Sequence, residues 1–119
     1  MGGLKNKLIG KWKTIDAQDD GKAKSIVEIY EKNGEIFGKI IDILNPEDKD
    51  ALCTKCEGDE KNKPVLGLVI IKNMIKVGDY FRKGTIFHPE HGKTFRCRLK
   101  LTNNPNILQV RGYVAFLYA

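Results

Sequence analysis

Thr94-Phe95-Arg96-Cys97-Arg98-Leu99-Lys100-Leu101 alternates without a break. Successive side chains of an extended chain point to opposite faces. Phe95, Cys97, Leu99 and Leu101 therefore share one side, and Thr94, Arg96, Arg98 and Lys100 the other. One dry face and one wet face is the habit of an antiparallel strand laid over a single core. Before it, residues 79–87 form a second extended run, and His88-Pro89-Glu90-His91-Gly92 reads as the turn between the two. Residues 24–31 (Lys-Ser-Ile-Val-Glu-Ile-Tyr-Glu) are rich in β-branched and aromatic side chains, and Asn33-Gly34 follows as the strongest short hairpin signal, since both residues tolerate positive φ. Residues 35–44 return as the partner strand, with Gly38 marking a bulge or bend.

The pattern continues in both directions. A helical turn in residues 4–9 leads into a first strand at 11–16, which the turn cluster Asp19-Asp20-Gly21-Lys22 ends. Residues 66–72 read as a strand and 73–76 as a connection; Asn103-Asn104-Pro105-Asn106 turns the chain into a last strand at 107–117. Seven to eight strands joined by hairpin-type turns give an all-β, antiparallel up-and-down meander, and closure into a barrel of about eight strands removes its two exposed edges. The one tryptophan, Trp12, lies on the first strand and Arg111 on the last. A guanidinium stacked on an indole at such a seam contributes ~0.5–2 kcal/mol. The pair is expected to close the barrel and to have no catalytic part.

Composition narrows the function. The 119 residues are read as one domain, 1–119, and 41% hydrophobic content is too high for a disordered chain. No apolar run approaches the roughly 20 residues of a membrane-spanning helix. The net charge of +6 permits an anionic partner, but lysines appear in almost every segment and never as a block, which reads as a solvated surface; no nucleic-acid partner is expected. If a nucleic acid or envelope glycan were bound, Tyr30, Tyr80 and Phe81 beside Lys32, Arg82 and Lys83 would be the nucleus of that site. Paired catalytic carboxylates, a Gly-x-Ser-x-Gly elbow and a phosphate loop are absent, so nothing nominates an enzyme or a cofactor. Cys97, on the apolar face of its strand, reads as a small buried hydrophobe.

Residues 45–64 form the one long irregular stretch, and it holds Cys53-Thr54-Lys55-Cys56-Glu57-Gly58. Three readings of Cys53-x-x-Cys56 stand open: a disulfide staple, a thiol pair free or redox-active, and half of a Cys₂His₂ zinc site completed by His88 and His91. The His88-x-x-His91 spacing is one residue short of the usual zinc pattern, so no metal is assigned.

Gly10-Lys11-Trp12, Val27-Glu28-Ile29-Tyr30, Gly38-Lys39-Ile40, Cys53-x-x-Cys56-x-Gly58, Lys63-Pro64-x-x-Gly67, Gly92-Lys93-Thr94-Phe95 and Val110-Arg111-Gly112-Tyr113 together resemble a group of small bacterial proteins, mostly exported, classed as a domain of unknown function. The resemblance runs from about Ile9 to Tyr113. It implies a lipocalin-like barrel, with a helical turn plugging one end and an interior able to hold an apolar ligand. It implies a periplasmic or secreted location, although Met1-Gly2-Gly3-Leu4 lacks the apolar core of a leader, and it favours the disulfide reading of Cys53 and Cys56. Members of the group continue further after the Arg-Gly-Tyr strand. An abbreviated or exchanged last strand is therefore expected, whose open edge would invite a homo-oligomer. On this basis the chain is expected to be a non-enzymatic binder of a small apolar or amphipathic, fatty-acid-like molecule. The candidate interior residues are Val27, Ile29, Phe37, Ile41, Leu68, Ile70, Phe95, Cys97, Leu99 and Val110.

Overall fold

The computed structural model describes residues 8–16, 23–78, 80–89, 91–103, 107–111 and 115–118, with the backbone alone at 15–16, 111 and 115–118. Eight antiparallel strands follow one another around a closed barrel: β1 (Gly10–Asp16), β2 (Ala23–Lys32), β3 (Glu35–Ile43), β4 (Val69–Val77), β5 (Tyr80–His88), β6 (Lys93–Leu101), β7 (Ile107–Arg111) and β8 (Ala115–Tyr118). Closure falls to β8, which pairs with β7 from Ile107↔Tyr118 to Val110↔Ala115 and with β1 from Lys13↔Tyr118 to Asp16↔Ala115. The single last strand read at 107–117 is two strands, β7 and β8, so Arg111 ends β7 and does not lie on the last strand. The expected open edge is not there either, because both sides of β8 find partners within the chain. Residues 17–22, 104–106 and 112–114, including Gly112 and Tyr113, lie outside the described residues.

β4 corrects the sequence reading. The apolar run 65–71 is not one strand, because Gly67 takes a left-handed φ of 93° and pairing with β5 and β3 runs from Val69 to Val77; residues 73–76 belong to the strand. The cause is a bulge. Ile36 pairs with Met74 but Gly38 pairs with Ile71, so an extra residue is accommodated on β4, and Asn73 takes a φ of 61°. Ile71 and Met74 consequently both turn inward although they are three residues apart. β5 does the same beside it. Lys83 takes a φ of 70° between the pairs Phe81↔Leu99 and Gly84↔Cys97, which keeps Phe81 and Gly84 on the inner face. A period of two cannot announce either site, since both break it.

The two ends of the barrel differ. At one end lie the Asn33-Gly34 hairpin and the start of β1. There the indole N–H of Trp12 donates to the Leu8 carbonyl at 2.8 Å, tying the wholly buried Leu8 into the opening. Leu8, Ile29, Ile36, Met74, Phe81, Leu99 and Leu108 are almost wholly shielded here, with Trp12 above them. Burial of each such side chain contributes about 1.5–3 kcal/mol. The opposite end receives the 44–68 loop and the turn from β5 to β6.

Candidate functional site at the barrel mouth

The long loop is held by its own backbone. Cys53 N–H donates to the Lys63 carbonyl (2.7 Å), Asn62 N–H to the Cys53 carbonyl (2.9 Å) and Val65 N–H to the Ala51 carbonyl (3.0 Å). Cys53 and Cys56 form a disulfide, and both are buried in the same apolar cluster that fills the barrel. Their sulfurs are therefore bonded to each other and have no thiolate to give a metal, so the zinc reading with His88 and His91 fails. Exchange chemistry needs access to a sulfur, and burial withholds it.

The loop reaches across the mouth to the far wall. A methyl group added at Gly92, in the β5–β6 turn, would sit 2.6 Å from Lys55 Cβ and 3.0 Å from the Lys55 carbonyl oxygen. Gly92 also has a φ of 65°, which a side chain would strain. At the base of that turn His88 is buried and its ring lies 4.3 Å from that of His91. The spacing signal in the sequence thus marked a pair of rings, tilted by 33°, at a turn, rather than two metal ligands.

Inside, burial is graded. Toward the plug end Val27, Ile29 and Leu99 are fully shielded and Val110 nearly so. Cys97 Sγ lies 3.6 Å from Met74 Sδ, linking β6 to β4. At the mouth, Thr14 and Ser25 pair across β1 and β2 and fall in step with inward Trp12 and Val27, yet both are only half-buried; their hydroxyls are 2.7 Å apart. Phe95, in step with inward Cys97 and Leu99, is half-buried too. Leu68, Ile70, Ile86 and Ile43 complete the apolar wall.

Two of the candidate interior residues are elsewhere. Phe37 lies on the outer face, stacked on Tyr30 at 5.8 Å, because Ile36, Gly38 and Ile40 take the inner positions of β3. Ile41 is half-buried at the bulge where β3 changes register against β2, between the pairs Val27↔Ile40 and Ile26↔Asp42. The assumed phase of β3 was one residue out, and with Ile at 36, 40, 41 and 43 the strand offers both phases to a reader. Ile36, Ile40, Ile71, Met74, Phe81, Ile86 and Leu108 are inner residues that the sequence reading did not select. The fully buried Phe81 cannot belong to a surface nucleus with Tyr30 and Tyr80. Trp12 is buried as expected of a closing residue, but the side chain of Arg111, and with it the expected stacking, lies outside the described residues; its backbone pairs with Arg98.

Cys97 has no nucleophilic character. Burial pushes its thiol from an ordinary 9.0 up to about 12, so it stays protonated at neutral pH. On the outer wall a groove of about 490 Å³ runs between the β2–β3 hairpin and the loop. Four of its polar groups are engaged with one another, Asn73 donating to Glu35 at 2.7 Å and Lys72 lying 3.7 Å from Glu60.

A closed antiparallel barrel, plugged at one end and capped by a loop at the other, is the architecture of a lipocalin-like protein. A solved structure of this kind, protein HP1028 from the human pathogen Helicobacter pylori, described as belonging to the lipocalin family, superposes with a TM-score of 0.76 at 24% identity, over 93% of this chain and 80% of that one. The chain belongs to the bacterial family described as "Uncharacterized protein conserved in bacteria (DUF2147)", whose model matches residues 10–119. No curated protein matches it.

Proposed function

We propose that this protein is a non-enzymatic carrier of a small apolar or amphipathic molecule, fatty-acid-like in shape, taken into the mouth half of the barrel. The observation that carries the reading is the burial gradient. Inner side chains near the plug, Leu101 apart, are sealed, whereas Thr14, Ser25 and Phe95, on the inner face at the mouth, keep contact with solvent. An apolar wall with two hydroxyls at its entrance suits a chain with a polar head. The disulfide in the covering loop supports a periplasmic or secreted location, where such a bond persists.

The test is native mass spectrometry of gently purified protein, followed by displacement of a fluorescent fatty-acid probe. Wild type is expected to carry or take up one acyl chain, and Ser25→Phe, which fills the entrance, to lose it while keeping its melting temperature. Uptake unchanged in Ser25→Phe, or no uptake by the wild type, would overturn the proposal.

A further inference from the structure

The positive charge of this chain is concentrated. Residues 80–101, which make β5, its turn and β6, carry Arg82, Lys83, Lys93, Arg96, Arg98 and Lys100 against the single carboxylate Glu90. Residues 23–43, which make β2, β3 and their turn across the barrel, carry four carboxylates against three lysines, and the 44–68 loop at the mouth carries six against four. One wall is therefore strongly basic, whereas the wall across from it is nearly balanced and the excess carboxylates lie on the loop at the mouth.

The cations of the basic wall are available. Arg82, Lys83, Lys93 and Arg96 are exposed, and none of the six makes an ion pair among the described residues. Strict alternation in β6 puts Arg96, Arg98 and Lys100 in one outward row, at intervals of about 7 Å. Tyr80 pairs directly with Lys100, and its ring holds two of the row: Arg98 Cζ lies 5.0 Å and Lys100 Nζ 5.5 Å from its centre. The ring attracts each cation, but it also keeps two like charges side by side. An external anion relieves that repulsion.

We infer that the outer wall of β5 and β6 is a docking face for an anionic lipid bilayer. A single-stranded nucleic acid would need an aromatic face on which to stack its bases. Tyr80 is occupied by its own cations, Phe81 is fully buried, and half-buried Phe87 and Phe95 are packed against the core, so this wall offers no free ring. What remains is an outward row of cations, two of them gathered on one ring, along the convex wall of a barrel. That pattern answers a plane of anionic headgroups, to which each Lys or Arg near the surface adds about fivefold in binding. The nearly balanced wall of β2 and β3 offers that plane no such attraction, so the protein would dock with β5 and β6 toward it. This goes beyond the carrier reading and does not depend on it, since docking requires nothing in the barrel.

The experiment is co-sedimentation of the intact, oxidised protein with vesicles made of equal parts phosphatidylglycerol and phosphatidylcholine, and with vesicles of phosphatidylcholine alone. Binding is expected only to the first, and to weaken as salt is added. The triple substitution Arg96→Gln, Arg98→Gln, Lys100→Gln is expected to reduce it on the order of 100-fold. Lys11→Gln, Lys13→Gln, Lys32→Gln has the same net charge, with the basic wall intact, and is expected to stay within a few-fold of wild type. Should the first triple variant fail to fold, Arg96→Gln alone, at an exposed position, is expected to lose about fivefold. Equal binding to both vesicle types, equal losses in the two triple variants, or tighter binding of oligothymidylate than of phosphatidylglycerol vesicles at the same salt would each overturn the inference. The sedimentation readout is separate from acyl-chain uptake, so the two proposals fail independently.

Discussion

Gly84 sits where the two bulged strands touch, and replacing it with alanine tests the whole account of the barrel wall. An added Cβ would meet the Lys72 carbonyl oxygen, Met74 Sδ at 2.6 Å and the Asn73 carbonyl carbon at 2.8 Å. The methionine can swing away; the backbone of β4 cannot. To regain an ordinary contact distance, β4 and β5 must separate by on the order of 1 Å, which overpacks the core at a cost of about 1–3 kcal/mol. The same movement loosens two or so ladder hydrogen bonds, each contributing about 0.5–1.5 kcal/mol. Gly84→Ala is therefore expected to destabilise the protein by about 2–6 kcal/mol. Gly38 is the internal control. There a methyl group meets only side-chain atoms, Ile71 Cβ and Cδ1 at 3.0 Å and Val27 Cγ1 at 3.1 Å. Those give by a few tenths of an ångström, and the loss of backbone freedom in the unfolded chain offsets part of the cost, leaving about 1 kcal/mol. Urea unfolding followed by the fluorescence of buried Trp12 measures both, provided the m-value stays constant. A Gly84→Ala variant no less stable than Gly38→Ala would refute the paired-bulge geometry.

Ile36→Ala is expected to cost about 2–5 kcal/mol and Phe37→Ala about 1 kcal/mol, because Ile36 is inside and Phe37 lies on the outer wall; the reverse order in urea melts would return Phe37 to the interior. Cys97 makes stability fall in alkali. Its folded pKa of about 12 lies above the ordinary 9.0, so its contribution is complete below pH 9 and is lost as pH rises toward 12. Relative to Cys97→Val, wild type is expected to lose up to about 1.4 kcal/mol per pH unit in that window, and parallel stability profiles would contradict the burial argument. The double substitution Cys53→Ser, Cys56→Ser opens a very short loop and is expected to cost about 2 kcal/mol. It should also speed amide exchange at Cys53, Asn62 and Val65 while leaving β5 and β6 protected; uniform loss of protection would mean that the loop is not a separate unit.

Before these results are in hand, the arrangement already constrains the chemistry. The one free thiol is buried and held neutral, and the other two cysteines are joined to each other beneath a loop. Each sulfur is thereby committed to packing. The surface chemistry of the molecule lies instead in the positive charge gathered along β5 and β6.

Much of the fold is legible in the chain because strand alternation is a local property. The Asn33-Gly34 turn, the clean row from Thr94 to Leu101 and the run of hairpins define an antiparallel meander without reference to distant residues. Burial of Val27, Ile29, Cys97 and Leu99 could be read the same way, from the company each keeps at i±2. Other features depended on what a neighbouring strand does. The bulges at Asn73 and Lys83 shift the inner face by one residue, and the phase of β3 is set by the close approach of Gly38 to Ile71 and Val27. The mouth is likewise a tertiary fact. The loop from 44 to 68 has no period of its own, and its covering role follows only from Cys53 and Cys56 entering the core and Lys55 resting on Gly92. The sequence by itself determined an antiparallel hand-over of seven to eight strands, since alternation and the short turn signals are local; that 107–117 divides into β7 and β8 was decided by the tertiary structure. Which side chains face the ligand half of the barrel was decided by pairing across strands, where one extra residue reverses every face beyond it.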